Sequence, residues 1–251
     1  MKHDRRNFLF SAARLGALAM AGTAVASASD ASQDPSFRLK GLKTSKVARW
    51  VTITIGDLSR NRYWGESDAK PTRTGSICTC TVVQGEGFCL IADPSLSDPA
   101  AMARELDRRT GLGLRDVTAA FIMHEHGDHW YGLGHFPDAR WLAAPDVASA
   151  LNKTGKLPKP VEAVTGRLFE AVDVLPTPGH TLGHHSLRFD CHGYSVVIAG
   201  DAVATRDFWR ERRGYYNCVD VELSAKSMDR IAAVADLVVP GHDNYFLSID
   251  A

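Results

Sequence analysis

Val117-Thr118-Ala119-Ala120-Phe121-Ile122-Met123 runs directly into His124-Glu125-His126-Gly127-Asp128-His129. The first seven residues are apolar but for Thr118 and are of strand length, which predicts a strand buried on both faces. The next six carry four candidate metal ligands, His124, His126, Asp128 and His129. Packing does not explain them, because imidazoles and carboxylates are costly to bury unpaired. A glycine-containing turn after a strand, unlike a helix, can direct alternate side chains to two sides, so two neighbouring sites can form there.

Three further candidates close apolar strands in the same way: His180 in Thr177-Pro178-Gly179-His180-Thr181, Asp201 in Ala199-Gly200-Asp201, and His242 in Val239-Pro240-Gly241-His242. Each follows a glycine, which permits close backbone approach or an unusual φ. Ligands delivered by four strand ends converge on one edge of a sheet, where layered α/β proteins commonly carry their sites. The surrounding pattern fits such a fold. A strand is expected at 48–55, a hairpin from 77–83 through Gln84-Gly85-Glu86-Gly87 to 88–92, a helix from Asp98-Pro99 to Arg109, and strands at 139–143, 170–175, 185–189 and 194–198. A helix over about 221–235 and a strand at 237–239 follow. With no repeat or inter-domain linker, sheets that meet and are covered by helices are predicted.

The totals are those of an ordinary globular chain: 251 residues, 45% hydrophobic, and 29 Lys plus Arg against 29 Asp plus Glu. Disorder, collagen and a polytopic membrane protein are excluded. Residues 1–28 read as a secretory signal, in which Lys2, Arg5, Arg6 and Arg14 precede an Ala/Leu-rich stretch ending at Ala26-Ser27-Ala28. Arg5-Arg6 followed by Asn7-Phe8-Leu9 resembles a twin-arginine signal, which predicts export to the periplasm or beyond. An uncleaved anchor is the alternative, but Gly16, Gly22, Thr23 and Ser27 interrupt a stretch too short for a span. No stable membrane insertion is expected after cleavage.

Cleavage removes four cations and Asp4, leaving 25 positive against 28 negative side chains, a net charge of −3. That balance speaks against nucleic acid, whose binding relies on Lys and Arg neutralising phosphates. Residues 29–46 read as a flexible lead-in. Cys78, Cys80, Cys89, Cys191 and Cys218 are too few and too irregular for a disulfide framework. Cys78 and Cys80 are expected to face a core as small hydrophobes rather than to bind metal.

In their order and spacing, the seven ligand-type residues resemble those of the metallo-β-lactamase-fold hydrolases: an HxHxDH motif, a later His, a bridging Asp and a final His. The resemblance implies an αββα four-layer sandwich, with residues 47–251 as the catalytic domain. It implies one metal on His124, His126 and His180, another on Asp128, His129 and His242, and Asp201 bridging the two. Asp93 would orient a ligand histidine, with turn-capping as the alternative. His184 would be a supporting or structural group. His135, His185 and His192 are expected to be satisfied or exposed, and Glu125 to face the surface.

Five imidazoles and two carboxylates suit two Zn2+, although iron or manganese accept the same donors. A water shared by two metals about 3.5–4 Å apart has a pKa near 7. The implied reaction is attack of that bridging hydroxide on an ester, thioester, lactone or amide carbonyl, with Asp128 orienting it and Asp201 holding both metals. Asp201 fits the glyoxalase II and lactonase branches better than the zinc β-lactamases, and the short tail after His242 fits compact single-domain members. Ala204 departs from the acyl-homoserine lactonases, which carry a Tyr at that place. The alternatives are a mononuclear-iron oxidoreductase resembling persulfide dioxygenases, a periplasmic β-lactamase or phosphodiesterase, and a metal-poor binding protein.

Two loops, 57–76 with Arg60, Arg62, Tyr63 and Trp64, and 205–220 with Phe208, Trp209, Tyr215, Tyr216 and several arginines, are expected to shape the pocket. They would suit a small anionic substrate with an apolar part, a partner interface being the alternative. A homodimer is compatible with this reading.

Overall fold

A computed structural model of the chain describes residues 45–66 and 76–250. The expected signal and nearly all of the lead-in lie outside the described residues. In chain order the elements are β1 (Val47–Thr54), β2 (Cys80–Gly85), β3 (Phe88–Ala92), α1 (Pro99–Thr110), β4 (Ala119–Ile122), β5 (Arg140–Ala143), α2 (Pro145–Lys153), β6 (Glu162–Ala163), β7 (Arg167–Leu168), β8 (Val172–Pro176), β9 (His185–Cys191), β10 (Tyr194–Gly200), α3 (Arg206–Arg210), α4 (Val221–Ala232), β11 (Leu237–Pro240) and β12 (Phe246–Leu247). They form two six-stranded sheets, β1-β2-β3-β4-β5-β6 and β12-β11-β10-β9-β8-β7.

The period-2 alternation of each strand sorts its side chains between two apolar layers. In β4 and the residue after it, Ala119, Phe121 and Met123 face the second sheet, where they meet Leu187, Phe189, Val196 and Val239. Ala120 and Ile122 face outward onto Met102 and Leu106 of α1 and Val147 and Leu151 of α2. On the far side, Val197, Ala199 and Val238 pack against Met228 and Ile231 of α4. The result is helix, sheet, sheet, helix, the αββα order expected. Parallel pairing of β3 through β6, and of β10 with β11, explains why their central strands read as continuous apolar runs.

Helix boundaries follow from local chemistry. Asp98 accepts from the Ala100 and Ala101 amides and starts α1, and Gly111 ends it at φ 74°. Among the described residues no helix is long and apolar enough to cross a membrane.

The structure departs from expectation at the first hairpin. Its leading strand begins at Cys80, not residue 77, because residues 76–79 cross to the other sheet's end: Ile77 bridges Asp57, and the Thr79 amide donates to the Gly241 carbonyl at 2.6 Å. Cys78 and Cys80 are buried, but so are Thr79 and Thr81, so the alternation there separates two interiors rather than inside from outside. All five cysteines are free thiols. Helices α2 and α3 were not anticipated: α3 is little more than one turn, whereas α2 carries Pro145 at its start and buries Val147, Ala148 and Leu151 at helical spacing, a signal that the sequence does carry.

Candidate metal centre

Five strand ends meet at one edge of the sandwich. β3 delivers Asp93, β4 leads through Met123 to the 124–129 turn, β8 leads to His180, β10 to Asp201 and β11 to His242. Two of the glycines before the last three have distinct tasks. Gly179 has φ 138° and lies so close to α4 that a Cβ would fall 2.3 Å from the Ser224 amide nitrogen. Gly241 lies against the bridging candidate, where a Cβ would fall 2.0 Å from Asp201 Oδ1.

All seven predicted ligand-type residues come together. His126 Nδ1 is 3.0 Å from both His124 Nε2 and His180 Nε2. Asp201 Oδ2 faces this group, 3.2 Å from His180 Nε2 and 3.9 Å from His124 Nε2. Its other oxygen, Oδ1, is 3.2 Å from both His129 Nε2 and His242 Nε2, and His242 Nε2 is 3.7 Å from Asp128 Oδ2. The carboxylate thus presents one oxygen to each of two groups. His124, His129, His180, Asp201 and His242 are buried.

These donors fit metal ions on two counts. His129 Nε2 and Asp201 Oδ1 are buried with no well-aligned hydrogen bond between them or to any other group, and three ring nitrogens of the first group point at one another. The electrostatics also call for a cation. Burial alone would raise the Asp201 carboxyl, yet the nearby His242, His129 and His180 hold it well below the usual carboxylate range. Burial opposes a proton on His129 and His242, but Cys78, Asp93 and Asp201 push His129 well up, and Asp201 pushes His242 up. Burial, with His129 adding to it, leaves His124 well below its ordinary value, and burial takes His180 down to about 4. Neutral imidazoles there offer lone pairs, the form a metal requires.

The supporting residues have definite partners. Asp93 Oδ2 lies 2.7 Å from His129 Nδ1 while Oδ1 accepts from the Met123 amide at 2.9 Å, so it both orients the ring and ties down the strand end. His184 touches no candidate ligand through hydrogen bonds; its Nδ1 meets Thr177 Oγ1 at 2.9 Å and its ring lies 5.2 Å from that of His124. His135, His185 and His192 each bond a backbone carbonyl. Glu125 differs from expectation: Thr181, next to His180, donates to its carboxylate at 3.2 Å, which holds it at the rim of the centre. Sequence reasoning missed Ser76, whose hydroxyl donates to Asp128 Oδ2 at 2.7 Å. A lone Ser in a polar stretch carries no signal for this.

The described residues of the two loops touch each other. The Arg62 amide donates to Tyr216 Oη, and Tyr215 Oη to the Arg60 carbonyl. Phe208 and Trp209 are fully buried and belong to apolar clusters rather than to a pocket wall, which corrects the expectation for those two. A cavity of about 550 Å3 lies along the second loop, with Glu211, Arg213, Tyr216, Cys218 and Val221 in its wall and none of the seven ligand-type residues lining it.

Fold and site together define a two-sheet architecture with a candidate metal centre at one edge. Residues 73–242 match the family model of the metallo-beta-lactamase superfamily, and the chain belongs to that superfamily. It is 34% identical over 139 residues to metallo-beta-lactamase domain-containing protein 1 of Mus musculus, covering 53% of this chain and 50% of that one. The Homo sapiens protein of the same name is 33% identical over 139 residues, covering 53% and 49%. The chain therefore spans about half the length of these curated relatives. Among solved structures, a quorum-quenching N-acyl homoserine lactone lactonase superposes with TM-score 0.62 at 20% identity, over 81% of this chain and 99% of that one. A B. thuringiensis AiiA variant with N-decanoyl-L-homoserine bound at the active site superposes with TM-score 0.60 at 19% identity, over 80% and 94%. At such identities the likeness is one of fold.

Proposed function

We propose that this chain is an exported, dinuclear metal-dependent hydrolase of ester, thioester, lactone or amide carbonyls. The observation that carries the reading is Asp201, whose two oxygens face two separate groups of donors. His124, His126 and His180 would hold one ion, and Asp128, His129 and His242 the other. When bound, such ions supply Lewis acidity and a water acidified to near neutrality. Zinc suits the donors best, and iron or manganese would accept them.

The protein's part is to place groups and to dispose of charge. Asp93 fixes the His129 ring so that Nε2, not Nδ1, faces Asp201. Asp128, held by Ser76 and partly exposed, would orient the attacking hydroxide as well as bind metal. The buried walls around His124, His129 and Asp201 exclude bulk water and strengthen every charge interaction inside. Small-molecule carbonyl substrates are also supported by a fold neighbour described with the product N-hexanoyl-L-homoserine at its catalytic metal centre.

The test is metal analysis followed by a screen of lactones, thioesters, β-lactams and phosphodiesters on the zinc-loaded protein. Two equivalents of zinc, with turnover lost on chelation, are expected; one iron with oxygen uptake would sink the reading. His126→Ala and Asp201→Ala are each expected to cut turnover by at least about 100-fold while far-UV circular dichroism stays unchanged. For export, replacing Arg5-Arg6 by two lysines is expected to leave the protein in the cytoplasmic fraction.

A further inference from the structure

The two halves of the centre are held from outside very differently. In the half made by Asp128, His129 and His242, both imidazoles have a partner behind them, and the carboxylate is held by Ser76 at the oxygen that faces His242. His129 Nδ1 meets Asp93 Oδ2 at 2.7 Å. His242 Nδ1 donates to the carbonyls of Asp57 at 3.0 Å and Ile77 at 3.1 Å. Asp128 Oδ2 accepts from Ser76 at 2.7 Å. These acceptors hold a proton on Nδ1 of both rings, so that Nε2 is the nitrogen turned inward toward Asp201.

The other half lacks such support. The outer nitrogens of His124 and His180, both Nδ1, are buried with no hydrogen-bond partner among the described residues. Among the described residues, His126 makes hydrogen bonds only through the nitrogen that faces those two rings. Behind His124 stands another imidazole, His184, whose Nε2 is equally unpartnered. Nothing there fixes a tautomer, so a cation must supply the work of ordering those rings itself. Asp201 does not offset the difference, since it offers one oxygen to each half with closest approaches of 3.2 Å. Donor type acts in the same direction: one half includes the Asp128 carboxylate, whereas the other offers imidazoles alone besides the shared Asp201.

We infer that the halves bind divalent cations unequally, the Asp128–His129–His242 half taking the first ion tightly and the His124–His126–His180 half taking the second more loosely. The inference rests on the dinuclear reading above. Outer partners of metal ligands are typically worth about 10–100-fold in affinity, so the two steps should lie at least about tenfold apart.

Zn2+ titration of the metal-free full chain by calorimetry, with Co2+ loading followed by its absorption spectrum, measures this without recourse to activity. Two separated steps are expected. Asp93→Asn keeps an oxygen for the Met123 amide but turns an amide donor toward His129 Nδ1, which forces the ring proton onto Nε2. It should abolish the tight step and spare the loose one. Ser76→Ala, a partly exposed and structurally mild change, should weaken only the tight step, by about tenfold. His180→Ala should remove only the loose step. Two steps of equal affinity would overturn the inference, as would Ser76→Ala weakening only the loose step. Absence of Zn2+ uptake by the unmodified chain would overturn the dinuclear reading along with it, so the two failures are distinguishable.

Discussion

Gly241 shows how tightly single atoms are specified at the centre. A methyl group there would fall 2.0 Å from Asp201 Oδ1 and 3.0 Å from the Gly200 carbonyl carbon. Neither neighbour can give way, because one is the shared carboxylate and the other is backbone. Gly241→Ala is therefore expected to displace Asp201, bringing bound Zn2+ below two equivalents and turnover down by about 100-fold or more, the scale on which a misplacement of about 1 Å acts. Elemental analysis and far-UV circular dichroism of the variant would check it; two equivalents of bound zinc with full turnover would refute the placement. The seven donor-type residues were legible because imidazoles and carboxylates at the ends of apolar strands have no packing explanation, and the glycines before them had one in close approach. Ser76 was not legible, since what distinguishes its hydroxyl is a partner 52 residues away.

Among the elements, α4 couples scaffold to site. Asp220 caps it, accepting from the Leu223 amide at 2.9 Å, and the Asp220 amide donates to the Gly179 carbonyl at 3.0 Å. The preceding Val219 amide donates to the His180 carbonyl at 3.1 Å. Helix start and histidine turn are thus one unit. Asp220→Ala is expected to cost about 1 kcal/mol, read as a lower urea midpoint with unchanged slope; a midpoint equal to the parent's would show the cap to be redundant. The ends of β4, β10 and β11 came within two residues of expectation because apolar runs buried on both faces stop where polar ligands begin. The start of β2 did not, because Ser76 to Thr79 are drawn across to Gly241 and His242 by pairings that local periodicity does not encode. Likewise Phe208 and Trp209 looked like pocket residues by composition alone, and only the packing of the loop shows them to be core.

At the scale of the whole molecule, alkaline pH probes the apolar layers. Burial pushes the Cys89 thiol up to about 11 and the Cys80 thiol well above its ordinary value. Burial, with a hydrogen bond to Glu211, raises the Tyr63 hydroxyl to about 12. An unfolded chain ionises its thiols near pH 8.5 and its tyrosines near 10, so it loses these protons first. Folding stability from these groups is complete below about pH 8.5 and is lost progressively as pH rises toward their folded values, at up to about 1.4 kcal/mol per pH unit for each buried thiol in its window. The urea midpoint at fixed zinc should be level from pH 7 to about 8.5 and fall from there to pH 11. Cys89→Ala should make that fall shallower, because it removes one titrating thiol, whatever its effect on the midpoint at neutral pH. A slope identical to the parent's would show that Cys89 ionises alike in both states, and that the layer between the first sheet and its helices admits water where the fold closes it.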